Sequence, residues 1–501
     1  MKVDKKDKLH ILIIIVGMIF LAIPIFHSNL WFDEAYSVAI ANHSFKEIWQ
    51  IGGHDVHPVL YYWILHIINL TFGNNIMLYR IFSYICACII GILGFTHIRK
   101  DFGKKVGLFF SFFSFFLPTI TMYAGEIRMY SFAMLLVTIM SIYAYRLFKT
   151  EECNIKNWCI FAICSLGAAY THYYGLMAAG IINLLLFTHY AKEWWKTKKI
   201  NSNIKGFAIS AIMQIILYLP WVLSLLLQIN QVSQGFWIEI KPTILKEFLI
   251  FQFTGYLENN NLAFAFSISI MALLIYLMFR NIKNKKQNNN DKEYKNLIKL
   301  SLGIYFSIIL AALIVSLIMS RPIIYARYML CVTGLFMFFL AIYLSKNANK
   351  YILVIICILC ITMGVIIEIK LCKDNYDFTN QEPFAYLREN IKEDDALFCA
   401  NQGSGFSGFI ISANYPDNFL YFWDNLGWNV EEAYKAFGKQ MKTIHSLDEI
   451  ENTHGKIWII SDGTDELLNE LQKRYNVKVL EKRNYNVKYH SYQYGFTLIE
   501  K

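Results

Sequence analysis

Long apolar runs separated by short polar connectors set the rhythm of this chain as far as residue 370. They lie near 11–26, 78–98, 106–121, 130–148, 157–171, 175–190, 206–226, 262–280, 299–319, 327–345 and 351–370. A helix needs about 20 apolar residues to cross the hydrocarbon of a bilayer, and helices or closed barrels alone satisfy every backbone polar group there. The pattern therefore predicts about eleven helical spans. Two further apolar stretches, VLYYWILHIINLTFG within the loop 51–75 and the segment 243–256, are shorter and marked by polar residues. These predict helices lying along the membrane surface with their aromatic rings at headgroup level.

After Lys373 the pattern becomes that of a soluble domain. Strand-like runs at 396–400, 419–423, 456–461, 477–481 and 496–500 alternate with helix-like ones at 429–437 and 465–475. That alternation predicts a small α/β domain. The fold class expected is mainly α, a polytopic helical bundle over 1–371 followed by a small extracytoplasmic α/β domain over 372–501.

Composition sharpens this picture. The chain is 56% hydrophobic and only 17% charged, against about 25% charged in ordinary soluble domains. Its net charge of +10 sits largely in connectors between apolar runs, at 99–105, 192–205, 280–299 and 346–350. Under the positive-inside rule these are cytoplasmic loops, so the basic balance implies no nucleic-acid partner. The N-terminus is then cytoplasmic, and the loops 28–77, 121–130, 171–174, 227–261 and 320–327, with everything after 371, lie outside. The basic start MKVDKKDKLH precedes an apolar run with no small-residue cleavage site after it, which reads as an uncleaved span rather than a signal peptide. Most cysteines lie within apolar runs as small hydrophobes; Cys372 and Cys399 are the two that could pair outside the membrane.

The outside loops carry the candidate chemistry: Asp33 and Glu34; His54, Asp55 and His57; Glu126 and Arg128; His172 and Tyr173; Trp237, Glu239 and Lys241; Arg321, Tyr325 and Arg327. Each set abuts the outer end of a span, so a bundle gathers acids and arginines at one membrane face. Transfer of a sugar from an anionic lipid needs that combination. A carboxylate base takes the proton from the attacking hydroxyl while the sugar passes through an oxocarbenium-like state. The leaving lipid phosphate is already a stable anion, so arginine forks replace a general acid.

Other roles stay open for the same residues. Asp33 and Glu34 would also cap a helix, Arg321 and Arg327 would snorkel, and Glu126 and Arg128 would pair inside the bundle. His54, Asp55 and His57 have zinc-ligand chemistry on a flexible loop and are weak candidates for a divalent metal. The run GSGFSG at 403–408, with Asp424 beyond it, formally fits a dinucleotide fingerprint. Pro416 cuts the following helix short, however, and an extracytoplasmic domain has no obvious supply of that cofactor. A transporter or flippase of a lipid-linked saccharide is the alternative reading, and it predicts charges inside spans and on both faces. A non-catalytic scaffold is the third.

Taken in order, WFDEAYS, HPVLYYW, Arg80, YAGEIRMYS, THYYG and ARYML resemble the bacterial membrane glycosyltransferases of the protein-mannosyltransferase superfamily. This is the GT-C fold, close to glycosyltransferase family 39 and related to the lipid A aminoarabinose transferases. The resemblance covers most of residues 28–335. It implies a polyprenyl-phosphate sugar donor, an extracytoplasmic glycan, lipid or protein acceptor, and an inverting single displacement in the outer leaflet of a bacterial cell membrane. It puts Asp33 at the position of the base, Glu34 beside it, Glu126 at a second acidic position and Arg128 and Arg327 on the donor phosphate, with Arg321 a further candidate there. His57, Tyr61, Tyr130, His172 and Tyr173 fall in the same motifs as substrate contacts, although Val59 follows the His-Pro pair where many members have a second Pro. Metal use differs across the superfamily, so the resemblance implies no definite cofactor.

Overall fold

The computed structural model describes residues 5–150, 153–235, 238–239, 242–256, 260–283, 291–424, 431–450 and 456–500. Its contacts divide the chain into two compact units. One comprises Met1–Ile23 with Phe82–Ile369, the other Pro24–Ile81 with Lys370–Lys501.

The first unit is helical. Among the described residues of the whole chain, nine helices are long and apolar enough to cross a membrane by length and composition. The other two expected spans also form helices, but shorter ones. Over 106–121 the chain makes Lys104–Phe116 and then Pro118–Tyr123. Pro118 sits at the first helical position, and Leu117 before it is extended (φ −69°, ψ 120°), as the clash between a proline ring and the preceding residue requires. Ile155–Thr171 has 17 residues and starts at Asn154, whose side chain accepts from Asn157 N at 3.1 Å.

Burial ranks these helices. In the Ala326–Asn347 segment 78% of the most apolar window is buried, against 17% in Ser202–Gln234. The former is central to its unit, whereas the latter presents Ile209, Ile215, Leu219 and Leu223 outward. Both expected surface helices exist, as Leu60–Phe72 and Ile244–Thr254.

The second unit is built on a six-stranded sheet of β1 (Ala396–Ala400), β2 (Phe419–Trp423), β3 (Met441–Ile444), β4 (Ile457–Ser461), β5 (Lys478–Asn486) and β6 (Gln493–Glu500) in the order β3-β2-β1-β4-β6-β5. The first four strands run parallel, and β6 pairs antiparallel with both β4 and β5. β1 and β4 are buried along their whole length, as central strands of a doubly covered sheet must be. Buried Asp395 accepts from Trp458 Nε1, Lys456 N and Lys392 N, each at 3.0 Å, and fixes the start of β1 against β4. The helix Asn401–Asn414 follows β1 at once. Gly408 in it is needed for packing, because a Cβ there would lie 2.3 Å from the Cys399 Cβ.

The segment 24–81 belongs with this sheet. Asn375 Nδ2 donates to the Pro24 carbonyl at 2.7 Å, and Asn29 Nδ2 to the Asn375 carbonyl at 2.8 Å. The helix Phe32–Ile40 packs on Asn401–Asn414. Phe32 meets Phe406, Phe409 and Phe437 with ring centroids 4.7, 6.2 and 5.6 Å away, and His43 Nε2 lies 3.0 Å from the Ala436 carbonyl. The Cys372 and Cys399 sulfurs are not joined: Cys399 is enclosed in β1 and makes no disulfide.

Candidate active site

The second unit holds Asp33 and Glu34 in the first turn of Phe32–Ile40, where a helix favours negative charge. Their environments differ sharply. Glu34 is 1% exposed and Arg80 2%. Arg80 Nη1 donates to Glu34 Oε1 at 2.5 Å and Nη2 to Oε2 at 2.8 Å, while Tyr489 Oη donates to Oε2 at 3.1 Å. Arg80 also donates Nε to the His27 carbonyl at 3.2 Å and Nη2 to that of Asn29. A buried, bidentate carboxylate with this many donors is fixed in place.

Asp33 is half-buried. Its charge is felt by two phenols of the C-terminal segment. Tyr492, which accepts from Phe32 N at 3.3 Å, is pushed up to about 12, mostly by burial, with the charges of Asp33 and Glu34 adding to it. Tyr434 is raised by burial and then by the charges of Asp55, Asp33 and Asp424. Asp424 ends β2 and accepts from Asn401 Nδ2 at the end of β1. The acid of the first loop is thus set beside the carboxyl edge of the parallel strands, the part of an open α/β sheet where ligands bind.

Of the metal candidates, His57 is buried with Nδ1 3.3 Å from Asp55 Oδ2, and Tyr62 Oη reaches the same oxygen at 3.4 Å. His54 is exposed. Among the described residues no group of three or more His, Cys, Asp or Glu converges as a metal would require. Tyr61 is fully buried, and its ring packs against Tyr62.

The first unit holds a separate cluster. Glu126 and Arg128 lie between the helices Pro118–Tyr123 and Tyr130–Lys149, Arg128 buried and Glu126 half-buried. The short helix Ala326–Val332 brings in Arg327, whose guanidinium carbon is 5.6 Å from the ring centres of both Tyr130 and Tyr325. His172 caps Tyr173–Thr197, its Nδ1 accepting from Tyr174 N at 3.0 Å, and packs against Tyr130 and Tyr328. Burial raises Tyr123; the Arg327 charge opposes this and the Glu126 charge adds to it. Gly255, with φ +60°, permits a close approach here, since a Cβ would meet Met122 Sδ at 2.8 Å and the Tyr123 ring at 3.2 Å. The result is the Arg327 guanidinium near two tyrosine rings, with Glu126 and Arg327 both acting on the Tyr123 phenol.

Two expected site residues point elsewhere. Tyr173 donates to Gln228 and accepts from Trp221 Nε1 at 3.2 Å, on the Ser202–Gln234 helix. Arg321 is exposed and donates to the carbonyls of Ser233 and Gln234 at 3.3 and 3.4 Å. Trp237 and Lys241 lie outside the described residues. Sequence reasoning missed Tyr489 and Tyr434, noted Asp424 only within the dinucleotide fingerprint, and used Arg80 as a motif position without a role.

Residues 56–223 match the model of the family described as dolichyl-phosphate-mannose-protein mannosyltransferase. No curated protein matches the sequence. The fold is similar to that of ArnT from Cupriavidus metallidurans in the apo state, at a TM-score of 0.53 and 9% identity over 97% of each chain. The chain has the GT-C fold. A second crystal structure of that ArnT, bound to undecaprenyl phosphate, aligns over the same 97% of each chain at 9% identity with a TM-score of 0.46. The family match takes in His57, Glu126, Arg128 and His172, and stops short of Asp33 and Arg327.

Proposed function

We propose that this protein is a glycosyltransferase that moves a sugar from a polyprenyl-phosphate donor to a hydroxyl of an extracytoplasmic glycan, lipid or protein, with inversion at the anomeric carbon. The observation that carries this reading is Arg327 near the Tyr130 and Tyr325 rings, with Glu126 acting on the same Tyr123 phenol as Arg327 and buried Arg128 two residues along the chain from Glu126. Planar guanidinium forks suit phosphate oxygens, and an aromatic wall suits a sugar on an apolar chain.

In the reaction, Asp33 takes the proton of the acceptor hydroxyl as its oxygen bonds to the anomeric carbon. The bond from that carbon to the phosphate oxygen breaks, and polyprenyl phosphate departs as an anion held by Arg128 and Arg327. Glu34, clamped by Arg80, keeps the first helical turn and hence Asp33 in place. Glu126 receives a sugar hydroxyl, and His57, Tyr61, Tyr130 and His172 shape the donor and acceptor contacts. The N-terminus lies in the cytoplasm and the sheet-bearing unit outside a bacterial cell membrane, as the distribution of Lys and Arg implies.

Radiolabelled polyprenyl-phosphate sugars incubated with membranes carrying the protein test the reaction. Label should move to a new acceptor, and Asp33→Asn should lower that transfer at least about 100-fold, the lower bound for a general base. Full transfer by Asp33→Asn would remove the base assignment. No transfer from any donor by the wild type would overturn the reaction itself.

A further inference from the structure

The sheet-bearing unit has a groove of about 320 Å³ away from Asp33, between the turn 74–77 and the helices Glu382–Asn390 and Asn401–Asn414. This volume reaches the size of small-ligand sites. Its chain position is informative. Ser28 lies three residues beyond the apolar span that ends at Ile25, and Asn74 and Asn75 stand just before the span that begins at Ile76. Residues so close to two span ends sit at headgroup depth.

The lining is rich in hydrogen-bonding groups and includes no carboxylate. Its charged member is Arg388, which is exposed. Existing bonds define what remains on offer. Asn74 Oδ1 accepts from Tyr79 Oη and Asn75 Oδ1 from Leu78 N, both at 3.3 Å; their amide nitrogens stay available as donors. Gln381 Nε2 donates to Asn29 Oδ1 at 2.7 Å and Asn414 Nδ2 to the Ile410 carbonyl at 2.8 Å; their oxygens stay available as acceptors. The groove therefore combines a guanidinium and two amide donors, which suit a phosphate, with two amide acceptors, which suit hydroxyls. Ile76, Met77 and Phe384 give it an apolar side.

We propose that this groove binds the headgroup of an anionic, hydroxyl-bearing phospholipid of the phosphoglycerol type, with the phosphate on Arg388, Asn74 and Asn75 and the glycerol hydroxyls on Gln381 and Asn414. The acyl chains leave past Ile76 and Met77 toward the membrane. The site is independent of the transfer reaction and stands whatever the sugar donor is.

The test uses the full-length protein, delipidated in detergent and titrated with dihexanoyl-phosphatidylglycerol, dihexanoyl-phosphatidylcholine or glycerol 3-phosphate, with binding read from the rise in thermal midpoint. The phosphatidylglycerol should bind saturably and at least about tenfold more tightly than the phosphatidylcholine, which carries a cation and no hydroxyls. Arg388→Gln and Asn74→Asp should each weaken it about tenfold. Asn74→Asp keeps the oxygen that Tyr79 needs and turns the amide donor into a repelling carboxylate, and both positions are exposed, so both variants should fold. Equal binding of the two lipids, or phosphatidylglycerol binding untouched by both variants, overturns the proposal. Glycerol 3-phosphate binding as tightly as the lipid would assign the groove to a soluble phosphate ester and overturn it as well.

Discussion

Two adjacent carboxylates divide the work that the motif WFDEAYS packs into one turn. Glu34 is enclosed and shared between Arg80 and Tyr489, so replacing it leaves a buried guanidinium with half its charge partner gone. Removing one member of such a pair costs about 3–5 kcal/mol. Glu34→Gln should therefore lower the denaturation midpoint sharply, whereas Asp33→Asn, half-buried and outside that clamp, should change stability by less than about 0.5 kcal/mol. Chemical denaturation of the two variants side by side checks this, and equal losses would contradict the division. The motif announced both acids; it did not tell them apart. What separates them lies 46 residues away at Arg80 and 455 residues away at Tyr489. Local spacing carries no record of partners so distant.

At the scale of single elements, hydrophobic period was a good guide to existence and a poor one to ends. The span expected over 106–121 breaks at Leu117 because proline punctuates a helix whatever the hydropathy around it. The edge strand β3, MKTI, went unread because four residues, three of them half-buried, give almost no alternation to detect. The helix expected ahead of Pro416 starts earlier, at Asn401, than its glycine-rich first turns suggest, because these resemble a loop. One helix carries a group that its periodicity does not explain. Along Lys350–Asn375 the inward face runs through Ile356, Cys360, Met363 and Ile367, and then Glu368, 5% exposed, follows with neither carboxyl oxygen hydrogen-bonded among the described residues. A buried polar group without a partner is destabilising. Glu368→Leu should raise the thermal midpoint of the detergent-solubilised protein by the equivalent of at least about 1 kcal/mol. A lower midpoint would show that Glu368 has a partner in the membrane-embedded protein.

For the molecule as a whole, the eye for composition found the membrane-embedded part and the α/β part, and missed that residues 24–81 group with the latter. Those residues look like a loop between two spans because their apolar content serves packing on the sheet. The same unit sets an acid limit to stability. Burial, aided by the Arg80 and His490 charges, pushes the His27 imidazole down to about 2, and burial also lowers His43. His27 stays neutral when folded, and His43 takes up a proton less readily folded than unfolded, where both titrate near 6.5. Their contribution is thus complete above pH 6.5 and is lost as pH falls below it, at up to about 1.4 kcal/mol per pH unit for each histidine. The denaturation midpoint should drop between pH 7.5 and 5, and His27→Phe should flatten that slope. An identical slope in the variant would show that other groups govern it.

The interleaving of segments also has a consequence for how the protein is made. Asp33 and Glu34 leave the ribosome early, but Tyr434, Tyr489 and Tyr492, which surround them, come only after the whole stretch 82–369 has been synthesised. Contacts this far apart close last and slowly. A nascent or prematurely ended chain can therefore hold the apolar helices of 82–369 while Asp33 and Glu34 still lack their surroundings, so that this part of the fold is completed only at the end of synthesis.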